Sequence, residues 1–261
     1  MMLETIGDIL NYIAAVIIFP LMALPLAAKI TQGRISSALT FSIVVAVVAA
    51  AGLAFVTIVP ALSPPQNTGQ ITIFAAFIVL ISILVYFSGG ASAASAKVSK
   101  VSTAITAGAG RAVMWLLLLM VMIQFAVVLL RYVFGVNWIF MQESVTYMHG
   151  IIFLLAAGYA LLSDDHVRVD IFYRSASKKR KAIVELVGTY FALFPICLLI
   201  FWSASPYVAR SWLVFEGSTD TSGIQGVYLL KSLIPTFAIL MTMAGFTVAH
   251  RAVETLNGRT H

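Results

Sequence analysis

The sequence predicts an all-α membrane protein with seven transmembrane helices, on three observations. The chain is 61% hydrophobic and 10% charged, whereas a soluble domain carries about a quarter charged residues. Seven stretches are apolar for roughly the twenty residues that a bilayer crossing needs. Thirteen of the 16 lysines and arginines fall on alternate connections between those stretches, as the positive-inside bias requires. A net charge of +6 in so apolar a chain points to lipid headgroups rather than nucleic acid. The single cysteine, Cys197, can form no internal disulfide, and no Cys/His metal spacing is present.

The predicted spans are residues 9–28, 36–62, 70–88, 112–130, 144–163, 186–209 and 232–249. The first begins after Glu4 and Asp8. Acidic flanks and a long apolar run favour a retained span over a cleavable signal peptide. It carries Pro20 and Pro25, each of which removes a helix hydrogen bond and favours a kink. The second holds Ala46–Ala54, small residues that admit a close neighbour, and Ser63–Gln70 is turn chemistry. Residues 89–110 are small, polar and glycine-flanked. Val98, Val101 and Ile105 share one helical face beside Lys97 and Lys100, which reads as an amphipathic surface segment or a flexible linker. This is the module boundary: residues 1–106 form a three-helix extension with its linker, and 107–261 a four-helix module. Phe134, Trp138 and Phe140 after the fourth span make an interfacial aromatic belt. The fifth span is followed by a loop ending in Ser177–Lys181. Pro195 lies at mid-depth in the sixth, a long loop runs from Arg210 to Lys231, and Pro235 opens the seventh.

The basic residues of connections 29–35, 89–111 and 164–185 and of the tail from 250 are Lys29, Arg34, Lys97, Lys100, Arg111, Arg168, Arg174, Lys178, Lys179, Arg180, Lys181, Arg251 and Arg259. The alternate connections hold Arg131, Arg210 and Lys231. This places the N-terminus outside and the C-terminus inside.

The candidate functional residues each have a plain structural reading as well. Glu143 starts the fifth span, where exposed helix N–H groups favour a carboxylate. His149 lies about 9 Å deeper. Intramembrane ionisable groups are functional candidates, and a neutral imidazole hydrogen-bonded to a neighbouring helix is the structural alternative. Gly150, Ala157 and Gly158 suggest close packing of that helix. Asp164, Asp165, His166 and Asp170 leave the membrane with no spacing that selects a metal. Lys178–Lys181 reads as a topology signal beside anionic lipid. No nucleophile–base pair, phosphate-binding glycine loop or paired intramembrane carboxylate occurs, so the residues describe a scaffold or accessory subunit, not an enzyme, with no cofactor implied.

From Gly110 onward the chain resembles the small membrane subunit (Q type, or small permease) of tripartite ATP-independent periplasmic transporters. Glu143, Gly158–Tyr173 (GYALLSDDHVRVDIFY), Arg210–Gly223 (RSWLVFEGSTDTSG) and Leu229–Pro235 (LLKSLIP) carry the resemblance. It implies a partner in the large M-type membrane subunit, which carries organic acids such as dicarboxylates in a sodium-driven elevator motion. It also implies a periplasmic substrate-binding protein and the bacterial inner membrane. The small subunit then holds no transport site; it braces the large one and offers part of the outer docking surface. Under this resemblance Glu143, His149, Gly150, Gly158, Asp165, His166, Arg168, Asp170, Trp212, Glu216 and Lys231 are candidates for holding either the fold or the junction with partners. It implies nothing for residues 1–106. Two rivals remain: a haem-carrying anchor of an oxidoreductase using His166 and His250, and a stand-alone carrier.

Overall fold

The computed structural model describes residues 19–30, 90–163, 173 and 176–258, and every regular element among them is helical. Six α-helices follow in order: α1 (Phe19–Ile30), α2 (Ala91–Val133), α3 (Ile139–Ser163), α4 (Lys178–Gly188), α5 (Phe194–Leu213) and α6 (Val227–Leu256). One π-helical turn, Thr189–Leu193, joins α4 to α5. Among the described residues, four stretches are long and apolar enough to cross a membrane: Ser92–Val133, Ile139–Ser163, Lys178–Leu213 and Val227–Leu256. They correspond to the fourth to seventh spans read from sequence. The second and third spans, and the first outside 19–30, lie outside the described residues.

Each of these four stretches extends beyond the apolar span read from sequence. Hydropathy marks the segment that needs lipid, whereas backbone hydrogen bonding continues into the polar flank. Lys178–Lys181 is therefore not loop but the first turn of α4. Ser177 caps that turn, its Oγ accepting from the Arg180 N–H at 3.4 Å. Glu143 likewise sits one turn inside α3 rather than at its start. The α2–α3 link is a tight turn over 134–138, in which Gly135 takes φ +67° and the Val136 N–H bonds to the Leu130 carbonyl at 3.0 Å.

Residues 91–110 are one continuous helix with the span that follows, so the flexible-linker reading does not hold. Its polarity is also the reverse of a soluble amphipathic segment. Ser95, Ser99, Ser102 and Thr106 are buried at helical spacing, while Lys97, Lys100, Val101 and Ile105 are exposed. Small side chains face inward because they let backbones approach.

The described chain forms two compact units. One contains residues 90–102, 176–192 and 246–258 with α1. Leu24, Ala27 and Ala28 of α1 are buried, as are Ala249, Ala252 and Val253 of α6. The Tyr190 hydroxyl donates to the Met22 carbonyl. Lys29 Nζ reaches the Leu256 carbonyl at 3.3 Å and Asn257 Oδ1 at 3.0 Å, satisfying acceptors at the α6 C-terminus. Ser92 Oγ donates to Glu254 at 3.1 Å, and Ser95 Oγ pairs with His250 Nδ1 at 2.8 Å. Tyr190→Phe removes one buried donor and is expected to lower stability by about 1 kcal/mol, read as a lower melting temperature in detergent.

The other unit contains residues 103–163 and 193–245. Val113, Met148, Phe194, Cys197, Phe201, Val208, Ala238, Leu240 and Ala244 are buried in it. Gly158 is the crossing at which a backbone atom of another helix faces the glycine. A Cβ there would stand 3.1 Å from both the Leu240 carbonyl oxygen and Thr106 Cγ2, so α3 meets α2 and α6 with no room for a side chain. A Cβ on Gly150 would stand 3.0 Å from Leu230.

Candidate functional site

The polar residues of the second unit gather where α3 begins and α5 turns into α6. The turn, residues 214–226, closes on itself through the Ser218 N–H bonded to the Ile224 carbonyl at 3.2 Å. Glu143 reaches across from α3 to the neck of that ring. One carboxylate oxygen accepts from the Ser218 hydroxyl, and the other accepts from the Ile224 N–H at 2.6 Å. Both oxygens are thus held by a loop 75 and 81 residues away in sequence. Gly223 makes the approach possible, because a Cβ there would overlap Ser218 Oγ and stand 2.6 Å from the Glu143 oxygen.

A second set of contacts holds the beginning of the loop. Glu216 pairs with Lys231 of α6, whose Nζ also lies 4.1 Å from the centre of the Tyr207 ring. The Glu216 N–H donates to the Ser211 carbonyl at 3.0 Å, and its own carbonyl accepts from Tyr228 at 3.3 Å. Trp212 Nε1 donates to Ser232 Oγ at 2.8 Å, and the indole meets the edge of Tyr228 at 4.7 Å. Tyr228 also meets Phe215 edge-on at 5.7 Å. Phe215 has φ +45°, a backbone state that a bulky residue adopts at a cost of order 1–3 kcal/mol. It is nevertheless 63% exposed, between exposed Val214 and the Glu216 anchor. The fold thus spends strain to present an aromatic ring outward.

The hydrogen bond from Lys231 holds the Glu216 carboxyl below its ordinary value of 4.5. A carboxylate depressed in the folded state stabilises it above the unfolded value. That contribution fades as pH falls through the folded value. Proteolysis within 214–226 is therefore expected to quicken on acidification below about pH 4.5. Comparison with Glu216→Gln isolates the share carried by Glu216.

Of the residues singled out from sequence, Glu143, Trp212, Glu216 and Lys231 meet around this turn, and Gly150 and Gly158 lie at helix crossings in the same unit. Among the described residues, His149 forms no hydrogen bond to a neighbouring helix. Its ring is exposed and stacks on Phe153, one turn along α3, at 6.3 Å between centroids. Asp164, Asp165, His166, Arg168 and Asp170 lie outside the described residues. His250 is buried against Ser95 in the first unit. Sequence reasoning missed Ser218, Tyr228 and Ser232. Only the run of turn-forming residues Ser218–Gly223 hinted at a folded loop.

The Glu143 and Glu216 carboxylates are engaged in holding the turn, which exposes Val214 and Phe215 beside a polar tip of Thr219, Asp220, Thr221 and Ser222. The model of the family described as Tripartite ATP-independent periplasmic transporters, DctQ component, matches residues 120–255, which takes in the site and most of α2 through α6. Comparison with curated proteins and with solved structures finds no match. With more than half its length matched and four helices fit to cross a membrane, the chain is a multi-pass membrane protein that belongs to the DctQ component family of tripartite ATP-independent periplasmic transporters.

Proposed function

We propose that the chain is the small subunit that braces the large membrane subunit of a sodium-coupled transporter for organic acids, dicarboxylates among them. The large subunit moves substrate in elevator fashion, and the 214–226 turn forms part of the surface on which a periplasmic binding protein docks. One observation carries this reading. Glu143 and Lys231 fix the turn at two points, and the exposed side chains of Val214 and Phe215 stand on it. A loop that served only to join two helices would need neither clamp nor strain.

The proposed topology has seven spans in the bacterial inner membrane, with the N-terminus periplasmic and the C-terminus cytoplasmic, supported by the distribution of basic residues. Residues 1–106 are an extension of the four-helix module 107–261. Trp212, Glu216 and Lys231 shape the docking face with Glu143. Gly150 and Gly158 keep α3 close to its neighbours, and outward-facing His149 belongs to the junction with the large subunit. Asp165, His166, Arg168 and Asp170 serve at the opposite end of α3, in the fold or in that junction.

The test is purification of the tagged chain from its native membrane in mild detergent, followed by reconstitution. The expected result is a stoichiometric larger polytopic protein and sodium-dependent uptake of an organic acid that requires both membrane proteins and a binding protein. Uptake by this chain alone, or a haem-containing partner, would overturn the reading.

A further inference from the structure

We propose that α4 carries a binding site for an anionic phospholipid, with Lys179 and Arg180 on the headgroup phosphate and Ile183, Val184, Val187 and Phe191 along an acyl chain. The basic run that opens α4 is not uniform. Lys181 lies 4.8 Å from the centre of the Tyr173 ring, whose hydroxyl donates to Glu185 at 2.5 Å, and is engaged there. Lys179 and Arg180 are exposed, and among the described residues neither forms an ion pair. Ile183 and Val184 stand four residues after them, Val187 follows by one further turn, and Phe191 by another. Residues at this spacing share one helix face.

All four of these apolar side chains are exposed, Phe191 at 81%. The two cations therefore sit at the head of a continuous apolar stripe on a helix that runs from Lys178 to Leu213 and is apolar enough to cross a membrane. From Arg180 to Phe191 the rise is about 16 Å, close to one leaflet of a hydrocarbon core about 30 Å thick. Head-to-stripe order and length both match one phospholipid standing beside the helix. Free phosphate satisfies the cations but leaves the stripe uncovered, and a zwitterionic lipid covers the stripe but offsets its phosphate with its own cation, leaving the net charge of Lys179 and Arg180 uncompensated. The site rests only on this helix crossing a bilayer and stands apart from the proposed transport role.

The test uses the full-length chain purified in detergent and measures lipid retention by native mass spectrometry against mixtures of phosphatidylglycerol or cardiolipin with phosphatidylcholine. The expected result is retention of the anionic lipid, weakened by salt. Lys179→Gln with Arg180→Gln is expected to reduce its affinity roughly thirtyfold, at about fivefold per basic residue. The charge-preserving pair Lys179→Arg with Arg180→Lys should retain it, as should Lys100→Gln on the separate helix α2. Equal retention of phosphatidylcholine, or an undiminished preference in the double glutamine variant, would overturn the proposal. So would an equal thermal shift with inorganic phosphate alone, or an acidic protein partner that displaces all lipid from the wild type. If the double glutamine variant fails to fold, the wild-type lipid competition and the charge-preserving pair still decide between these outcomes.

Discussion

Glu143→Ala is expected to free the 214–226 turn while the four membrane helices remain folded. The substitution removes the acceptor for the Ser218 hydroxyl and for the Ile224 N–H together, and no other described side chain bonds that N–H. Amide exchange at Ile224 should rise by at least about tenfold, with new proteolytic cleavage confined to the turn and unchanged far-ultraviolet dichroism. Glu143→Gln separates geometry from charge. It keeps the length of the side chain and can accept from the Ile224 N–H, while its amide donates to the Ser218 hydroxyl, so both contacts persist as neutral, weaker bonds. Glu143→Asp is shorter by one methylene and cannot span both partners. If the turn shapes the docking face, Glu143→Ala and Glu143→Asp should lose coupling to the binding protein while still co-purifying with the large subunit, and Glu143→Gln should lose less of it. Unchanged exchange and cleavage in Glu143→Ala would show that the clamp holds nothing.

The second large effect is expected at Gly158→Leu, which should abolish recovery of folded protein. The atoms facing Gly158 are a backbone carbonyl of α6 and the methyl of a fully buried threonine, so neither can swing aside. Gly158→Ala already intrudes by a few tenths of an ångström and should cost about 1–3 kcal/mol, the range for overpacked cores. Leucine would force α3 away from both neighbours. Thermal melts in detergent, with the monodisperse yield, give the measurement; a leucine variant of wild-type yield would show that the crossing is loose. Gly245→Ala is the useful contrast. There the facing atoms are side-chain carbons of Leu193 and Phe194, and rotamer changes can relieve the contact.

The membrane helices were legible because the signal is physical and long. Twenty apolar residues have few uses outside a bilayer, and α2, α3, the α4–α5 run and α6 follow the four stretches after residue 110. Their ends were not legible, since a helix continues into its polar flank wherever a cap such as Ser177 satisfies the first turn. The apolar face of residues 91–110 with Val101 and Ile105 was legible, whereas their continuity with the following span and the inward Ser95 and Ser102 were not. Glu143, Trp212, Glu216 and Lys231 could be singled out through family resemblance, but their connections could not. A carboxylate meeting a backbone N–H 81 residues on leaves no local pattern. His149 invited a buried partner because an ionisable group within a span is costly. The fold instead leaves it on the outer face of α3, stacked on Phe153.

The long reach of Glu143 has a consequence for biosynthesis. The residues it binds are made after α4 and α5, and Lys231, the other anchor, lies in α6. No fragment that stops before α6 can form both anchors of the turn, however well α2 and α3 insert. The shape of the turn is therefore acquired only once the ribosome has delivered α6, and a protein that recognises this shape discriminates chains that carry α6 from shorter nascent ones without any separate proofreading step.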